Sequence, residues 1–385
     1  MDFINQLAKS KNRRFLVLSA GGQQSGIQGI YVTIEGDAWS IMAHAFLPYP
    51  SSIGQLLDSV ITDPQSPLTL ETFGRLDYKI SHLFLECAKA ACANAQKSLQ
   101  QPSVIVLNKF NLWKTALNEN TQAKYWDIEL GDAQLLSSFF KAPVVTDFVR
   151  HGILGGKQGD APLFPGICKI TQNKQEIAAH ITIGQLAHFF VYDIHAAHMI
   201  LDTDIGPGTC LINRAAREAL CPDGFDRDGL FAAQGKVDAH CLESLASEEW
   251  FVKPSPKQAR ISDLMKLYDH ACMADLTGND KLATLTALTA RSAFDLFKRE
   301  YRHVIAPEII WISGGGANNL TIMEFLRTYF NPLPIKRTDE IGIPAELFVP
   351  LALGLTVDAF CMGQTGTWKS GNNPEIEGIG TWVLP

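Results

Sequence analysis

Two stretches of sequence decide the fold prediction. They are Leu201-Asp-Thr-Asp-Ile-Gly-Pro-Gly-Thr209 and, much later, Ile312-Ser-Gly-Gly-Gly-Ala-Asn318. An acid enters a Gly-Pro-Gly turn in the first stretch, and a glycine triplet ends an apolar strand in the second. Glycine has no Cβ to keep a phosphate or a base away from the backbone, and a following helix N-terminus favours anions. Each motif alone also fits an ordinary tight turn or close packing. Their order and separation together favour a nucleotide site.

The residues predicted to bind nucleotide are Asp204, Gly206, Gly208, Gly314, Gly315, Gly316 and Asn318. The matching turn near the front of the chain reads Leu18-Ser-Ala-Gly-Gly-Gln-Gln-Ser-Gly-Ile-Gln28 and contains no acid. We therefore expect nucleotide binding to be weak and to depend on the two later turns.

Composition and charge narrow the class of protein. The 385 residues suffice for two domains, and 46% hydrophobic with 19% charged residues is ordinary for a globular chain. The net charge of −7, without a Lys/Arg cluster, argues against a nucleic-acid partner. No apolar run has the length of a signal peptide or a membrane span, so a cytoplasmic protein without a membrane partner is expected. The eight scattered cysteines are predicted to be reduced core thiols.

In each half of the chain, predicted strands come first and predicted helices follow. Predicted strands cover 15–19, 29–35, 38–46, 104–107 and 144–148, then 180–187, 189–194, 198–202 and 308–313. Predicted helices cover 70–100, 282–301 and 319–329. The repeated order predicts a duplicated α/β fold with a cleft between two lobes, 1–178 and 179–385. A return of the terminal segment to the first lobe is an open alternative.

Several strings along nearly the whole chain carry a family resemblance. They include Leu130-Gly-Asp-Ala-Gln134, Val144-Val-Thr-Asp-Phe148, Gly155-Gly-Lys-Gln-Gly-Asp-Ala-Pro-Leu163, Lys253-Pro-Ser-Pro-Lys257, Gly314-Gly-Gly-Ala-Asn-Asn319 and Thr338-Asp-Glu-Ile-Gly-Ile343. With them the chain resembles the anhydro-N-acetylmuramic acid kinases of the actin-like sugar kinase superfamily. The resemblance implies an actin-like (ribonuclease H-like) fold, ATP and Mg²⁺ as cofactors, and ATP-dependent opening of a 1,6-anhydro ring with phosphorylation at O6. It also makes Asp132, Asp147 and Arg150 candidates for the sugar cleft.

Departures from the family pattern fall on residues that this chemistry needs. The place of the acid in the first loop falls on Ser25, and the place of the general base, an aspartate in the family, falls on Gly152. The substrate strings have changed at 108–111 and 258–262, and the family string Asn-Ile-Gly-Gly-Ile-Ala-Asn has become Thr182-Ile-Gly-Gln-Leu-Ala-His188. A positioned general base contributes roughly 10²–10⁴-fold to a rate. We therefore expect a catalytically impaired member that at most binds a nucleotide or an amino sugar.

Two alternatives stay open. An active kinase for the same or another amino sugar would need a rebuilt site, for which His151 and Asp160 are the possible substitute bases. An ordinary surface or hinge histidine and a solvated loop carboxylate are the favoured explanations of these two residues. A regulatory subunit would pair with an active paralogue or form a homodimer. No metal site is predicted, because His188, Asp193, His195 and His198 fall on two strands and their turn.

Overall fold

The computed structural model of the protein describes residues 2–21, 25–63, 67–95, 101–114, 127–154, 161–171, 177–193, 198–300, 307–364 and 378–385. The chain forms two compact units. Unit 1 comprises Met1–Gln172 and Val349–Pro385, and unit 2 comprises Asn173–Phe348.

Unit 1 is built on a sheet that has six strands among the described residues, in the order β13-β7-β4-β1-β2-β3. These strands are β1 (Asn12–Ala20), β2 (Gly26–Glu35), β3 (Ala38–Pro48), β4 (Val104–Asn108), β7 (Val144–Thr146) and β13 (Thr381–Val383). The first three are antiparallel, and β4 and β7 continue parallel to β1. The central β1 is buried on both faces, whereas the edge strand β3 alternates between covered and exposed residues.

Helices and one separate hairpin complete unit 1. The helices are α1 (Asp2–Lys9), α2 (Ser51–Thr62), α3 (Leu70–Asn94), α4 (Ala133–Phe140), α5 (Phe148–Leu154), α6 (Phe164–Thr171) and most of α13 (Phe348–Cys361). The hairpin pairs β5 (Phe110–Lys114) with β6 (Asp127–Leu130). Asp358 on α13 is fully buried and accepts from Arg13 Nε at 2.5 Å and Lys169 Nζ at 2.7 Å. This ion trio ties α13 to β1 and α6.

Unit 2 repeats the strand order of unit 1. Its sheet runs β10-β9-β8-β11-β12, with β8 (Ile177–Ile183), β9 (Leu186–Asp193) and β10 (His198–Pro207) antiparallel. The strands β11 (Ile310–Ser313) and β12 (Ile335–Arg337) are parallel to β8. Helices are α7 (Cys210–Glu218), α8 (Ala239–Ala246), α9 (Glu249–Val252), α10 (Ile261–Met265), α11 (Gly278–Glu300) and α12 (Leu320–Phe330). Two successive sheets of the same order confirm the duplicated α/β fold.

Three local expectations were wrong. The strand predicted at 144–148 ends at Thr146, because Asp147 takes a left-handed backbone with φ +59° and Phe148 begins α5. The strand predicted at 198–202 continues as β10 to Pro207, so the Gly-Pro pair belongs to the strand. Two of the eight cysteines, Cys241 and Cys272, form a disulfide with an S–S distance of 2.16 Å.

Candidate functional site

The two predicted glycine turns of unit 2 meet at the same place, the turn between β8 and β9. A methyl group at Gly208 would collide with the carbonyl oxygen of Gly184, and one at Gly314 would lie 2.5 Å from that of Ile183. The Thr209 N–H donates to the Gly184 carbonyl at 2.9 Å, and the Gly208 N–H donates to Gln185 at 2.9 Å. The Gly-Pro-Gly turn and the glycine triplet therefore flank one hairpin turn.

The predicted glycines differ in their exposure. Gly206 and Gly208 are buried, and Gly206, with φ +145°, packs against the rings of Trp250 and Phe251. Gly315 is exposed, with nothing within 4 Å of a methyl group placed on it, and Asn318 is exposed while its Oδ1 accepts from Arg337 at 2.7 Å. Packing alone accounts for glycine at 206 and 208. The open surface of this region lies at Gly315 and Asn318.

A buried hydrogen-bond chain anchors the strand that leads into the triplet. His180 Nε2 lies 2.7 Å from Ser313 Oγ, which is 3.0 Å from Thr182 Oγ1. Burial, with a contribution from the nearby His188, lowers the pKa of His180 to about 3. Its ring, stacked on Phe348 at 4.1 Å, is therefore neutral, and the chain fixes Ser313 directly before the turn.

Asp204 is held on both carboxylate oxygens. Its Oδ1 lies 2.7 Å from His188 Nδ1, and its Oδ2 accepts the Ala259 N–H at 2.6 Å. The other ring nitrogen of His188, Nε2, lies 2.5 Å from Asp202 Oδ1. Burial disfavours the imidazolium, but the hydrogen bonds and charges of Asp202 and Asp204 outweigh it and raise the pKa of His188 to about 10. His188 is therefore a cation bound between two carboxylates.

The turn at the same topological position in unit 1 joins β1 to β2. Residues 22–24 of this turn lie outside the described part of the chain, and the described Ser25 is exposed. Asn108 Nδ2 donates to Ser19 Oγ at 3.1 Å, so the predicted substrate string starts beside the strand that enters this turn. The structure thus brings Ser19, at the end of β1, and the first residue of the string at 108–111 together.

The candidate sugar residues separate into two groups. Asp147 accepts from Lys109 Nζ at 2.6 Å, and Arg150, half exposed on α5, donates to Asp127 Oδ1 at 3.1 Å. Asp132 instead caps α4, with its Oδ1 accepting the N–H groups of Gln134 at 2.8 Å and Leu135 at 3.3 Å. A cleft role for these residues stays a prediction.

Two of the positions tied to the general base, His151 and Gly152, lie inside α5. The His151 ring is 3.3 Å from the place of a methyl group on Gly378. Asp160 falls outside the described residues. A role of His151 or Asp160 as a substitute base stays a prediction.

Sequence reasoning missed Glu129 on β6. Burial, followed by the charges of Asp127 and Asp147, raises the pKa of this carboxyl from 4.5 to about 7, although Lys109 and Arg150 act in the opposite direction. The alternation of polar residues in Asp127-Ile-Glu-Leu130 was the available signal. Perturbed carboxyls of this kind are concentrated at functional sites.

Neither a metal-binding cluster nor a membrane-spanning helix is present in the described ranges. They contain no group of three or more His, Cys, Asp or Glu side chains that could hold a metal ion. His188 contacts two carboxylates directly, while His195 lies outside those ranges. Within the same ranges, no helix is long and apolar enough to cross a membrane.

Two units, each with three antiparallel strands followed by two parallel ones, give the chain an actin-like duplicated α/β fold. The family model of anhydro-N-acetylmuramic acid kinase matches residues 13–366, and the chain belongs to this family. This agrees with the resemblance of its sequence strings.

Curated relatives align over most of the chain. The anhydro-N-acetylmuramic acid kinase of Vibrio cholerae is 25% identical over 336 residues, 86% of this chain and 87% of the relative. That of Prochlorococcus marinus is 26% identical over 382 residues, 95% and 96% of the two chains. Among solved structures, the activator of the 2-hydroxyisocaproyl-CoA dehydratase from Clostridium difficile with bound ADPNP aligns with a TM-score of 0.46 and 12% identity, over 92% of this chain and 97% of the activator.

Proposed function

We propose that this chain is a nucleotide-binding member of its family that does not turn over 1,6-anhydro-N-acetylmuramic acid at a useful rate. The observation that carries this proposal is Gly152. The family reaction opens the 1,6-anhydro ring with water and phosphorylates O6, so it needs a base to take a proton from that water. A glycine on α5 offers no acceptor.

Nucleotide binding is assigned to unit 2. Its support is that the glycine triplet and the Gly-Pro-Gly turn flank one hairpin turn, with Gly315 and Asn318 exposed there. Backbone N–H groups in glycine turns bind phosphates without a side chain. Gly184 and Gln185 in the hairpin turn join the predicted residues, because they correspond to the first loop of unit 1 in strand order.

Magnesium fits this chain poorly at Asp204. Both oxygens of that carboxylate already accept a hydrogen bond, and His188 places a positive charge beside it. A second cation at this position would be repelled. Any magnesium ion that accompanies the nucleotide would be held by phosphates and water rather than directly by Asp204.

Calorimetry and a turnover assay test the two parts of the proposal separately. Titration with magnesium ATP is expected to give a Kd weaker than roughly 1 μM, about −8 kcal/mol. Gly315→Ala is expected to weaken binding without changing the melting temperature, because its new methyl group meets no protein atom within 4 Å. Gly74→Ala, equally unobstructed but on α3 of unit 1, is the matched control. Equal affinity of Gly315→Ala and wild type contradicts the nucleotide assignment. Submicromolar affinity of wild type contradicts the expectation that binding is weak.

Turnover is measured as release of ADP with 1,6-anhydro-N-acetylmuramic acid as the acceptor. The Vibrio cholerae relative is the positive control. Loss of the general base predicts a rate at least roughly 10²-fold below that relative. A comparable rate would show that the base has been replaced.

A second candidate function is a kinase with a rebuilt site, and Glu129 favours it. A carboxyl with a pKa of about 7 is poised to accept a proton at neutral pH. In that case turnover is retained in wild type and lost in Glu129→Gln.

A further inference from the structure

The disulfide between Cys241 and Cys272 is set apart from the other cysteines of the chain. Cys241 lies on α8, and Cys272 lies in the short helical turn Ala271–Met273. Burial raises the pKa of every free thiol, which keeps these thiols protonated and unreactive at neutral pH. The six free cysteines are Cys87, Cys92, Cys168, Cys210, Cys221 and Cys361. Thiol chemistry is therefore expected at the bonded pair.

The two bonded cysteines differ in their access to solvent. Cys241 is only 1% exposed, and its Sγ lies 3.6 Å from Met273 Sδ in the core of unit 2. Cys272 is partly exposed. Thiol–disulfide exchange needs direct attack of one sulfur on another, so an incoming small molecule meets Cys272 first. Cys241 is then the sulfur that leaves or completes the bond from inside the protein.

His270 provides a proton acceptor beside Cys272. Its Nδ1 lies 3.1 Å from Cys272 Sγ and accepts the backbone N–H of the same residue at 3.2 Å. In the neutral ring the proton is therefore on Nε2. That nitrogen lies 3.4 Å from Glu248 Oε1, so the carboxylate stabilises the imidazolium that forms when Nδ1 takes a proton. A cysteine, a histidine and a carboxylate in this order can activate a thiol.

A cavity of about 170 Å³ lies next to His270 and makes this group of residues accessible. His270 and Glu248 line it together with apolar side chains that include Trp250 and Leu267. The side chains of His270 and Glu248 are 30% and 41% exposed. The cavity is smaller than the roughly 300–1,000 Å³ of pockets for drug-sized ligands. It therefore suits the sulfur-bearing end of a small molecule rather than a whole cofactor.

We propose that Cys272 and Cys241 form a thiol–disulfide exchange site for low-molecular-weight thiols and their disulfides. In the oxidising direction, His270 Nδ1 takes the proton of the Cys272 thiol in exchange for its long bond to the backbone N–H. The Cys272 thiolate attacks one sulfur of the small disulfide, a mixed disulfide forms on Cys272, and His270 returns the proton to the departing thiolate. The Cys241 thiol then attacks Cys272 Sγ, and a second small thiol leaves with the Cys241 proton. The two cysteines are oxidised, and one small disulfide is reduced to two thiols.

The experiment uses the full chain with reduced and oxidised glutathione as probes. Reduced glutathione is expected to open the disulfide, and oxidised glutathione to close it again, as followed by alkylation under denaturing conditions and mass spectrometry. Only Cys241 and Cys272 should change state. Cys241→Ser is expected to stop at a mixed glutathione disulfide on Cys272. Cys272→Ser should form none on Cys241, because Cys241 is only 1% exposed.

His270→Asn tests the proton acceptor. Asparagine keeps an oxygen that can accept the Cys272 N–H but cannot take the thiol proton. At about pH 6 a thiol without an activating base is almost fully protonated, so adding His270→Asn to Cys241→Ser should slow the mixed disulfide by about fivefold or more. The difference should disappear by about pH 9, where the thiol ionises unaided. His240→Asn, at an exposed position on α8, is the matched control and should leave the rate unchanged.

The charged groups that line the cavity with His270 are Glu248, Asp263 and Lys266, and the last two are paired with each other at 3.0 Å. Three outcomes overturn the proposal. They are a wild-type disulfide that millimolar reduced glutathione leaves intact, absence of a mixed disulfide on Cys272 in Cys241→Ser, and equal rates at pH 6 with and without His270→Asn. The first outcome is measured on wild type and needs no variant to fold. None of these measurements involves ATP or an anhydro sugar, so they decide on this site independently of the proposed function.

Discussion

The ion cluster of His188, Asp202 and Asp204 makes a strong prediction about pH. His188→Gln removes the buried cation and keeps a polar side chain of similar reach. The pKa of His188 rises from 6.5 to about 10, which at 1.36 kcal/mol per unit corresponds to roughly 4–5 kcal/mol. Asp202 is 45% exposed, so solvent screens its interaction with His188. We therefore expect the free energy of unfolding of the variant to be lower than that of wild type by about 3 kcal/mol near neutral pH.

The sign of the pH dependence follows from the direction of this shift. A group whose pKa is higher in the folded state binds its proton more tightly there. Its contribution is fully present below the unfolded pKa of 6.5 and disappears as pH rises through about 10. The stability difference between wild type and His188→Gln is therefore largest near pH 6 and smallest near pH 10.

Urea unfolding at several pH values measures this difference directly. His44→Gln, a change at an exposed position on β3, is the control for loss of a histidine and should show a difference near zero throughout. If the difference in free energy of unfolding between wild type and His188→Gln stays constant from pH 6 to 10, the imidazolium assignment is refuted. Equal stability of His188→Gln and wild type at pH 6 would also refute it.

Three further predictions concern unit 1 and turnover. Asp358→Asn leaves two buried cations without their shared carboxylate and should cost roughly 3–5 kcal/mol in urea unfolding; a loss below about 1 kcal/mol would contradict the ion trio. Glu129→Gln should raise stability at about pH 8 by roughly 2–3 kcal/mol and leave it unchanged near pH 4, since the raised pKa makes ionisation costly in the folded state; an unaltered stability profile would contradict that pKa. Gly152→Asp alone should leave ADP release at background, because the first loop and the substrate strings have also changed. If wild type turns over an anhydro sugar and Asp160→Asn does not, the site was rebuilt around Asp160.

The duplicated fold could be predicted because its strands carry strong local signals. Phe15 to Leu18 are apolar at successive positions and are fully buried in the centre of a sheet. The hairpin of β5 and β6 gave no comparable signal, since its strands are short and carry the polar residues Asn111, Asp127 and Glu129. Periodicity detects a strand by its apolar face, and here the polar face carries the candidate chemistry.

The candidate site was only partly readable for a related reason. The glycine turns could be recognised in the sequence. The sequence does not show which glycines are required by packing, as Gly208 is by its contact with Gly184, and which face open space, as Gly315 does. The ion cluster around His188 was invisible, because its partners lie 14 and 16 residues further along the chain and meet it only through the pairing of β9 with β10.

The two parts of the proposed function rest on different units, and this affects how they can be separated. Ser25 and Gly152, where the family resemblance expects the acid of the first loop and the general base, both lie in unit 1, together with Glu129. Unit 2 retains both glycine turns, packed on one hairpin turn by contacts that a side chain would break. Since each unit has its own sheet and core, Gly315→Ala should weaken ATP binding without altering the pH dependence of stability that Glu129 causes. Unchanged ATP affinity in Glu129→Gln, beside weakened affinity in Gly315→Ala, would establish that separation, whereas weakened ATP affinity in both variants would show that the two units are energetically coupled.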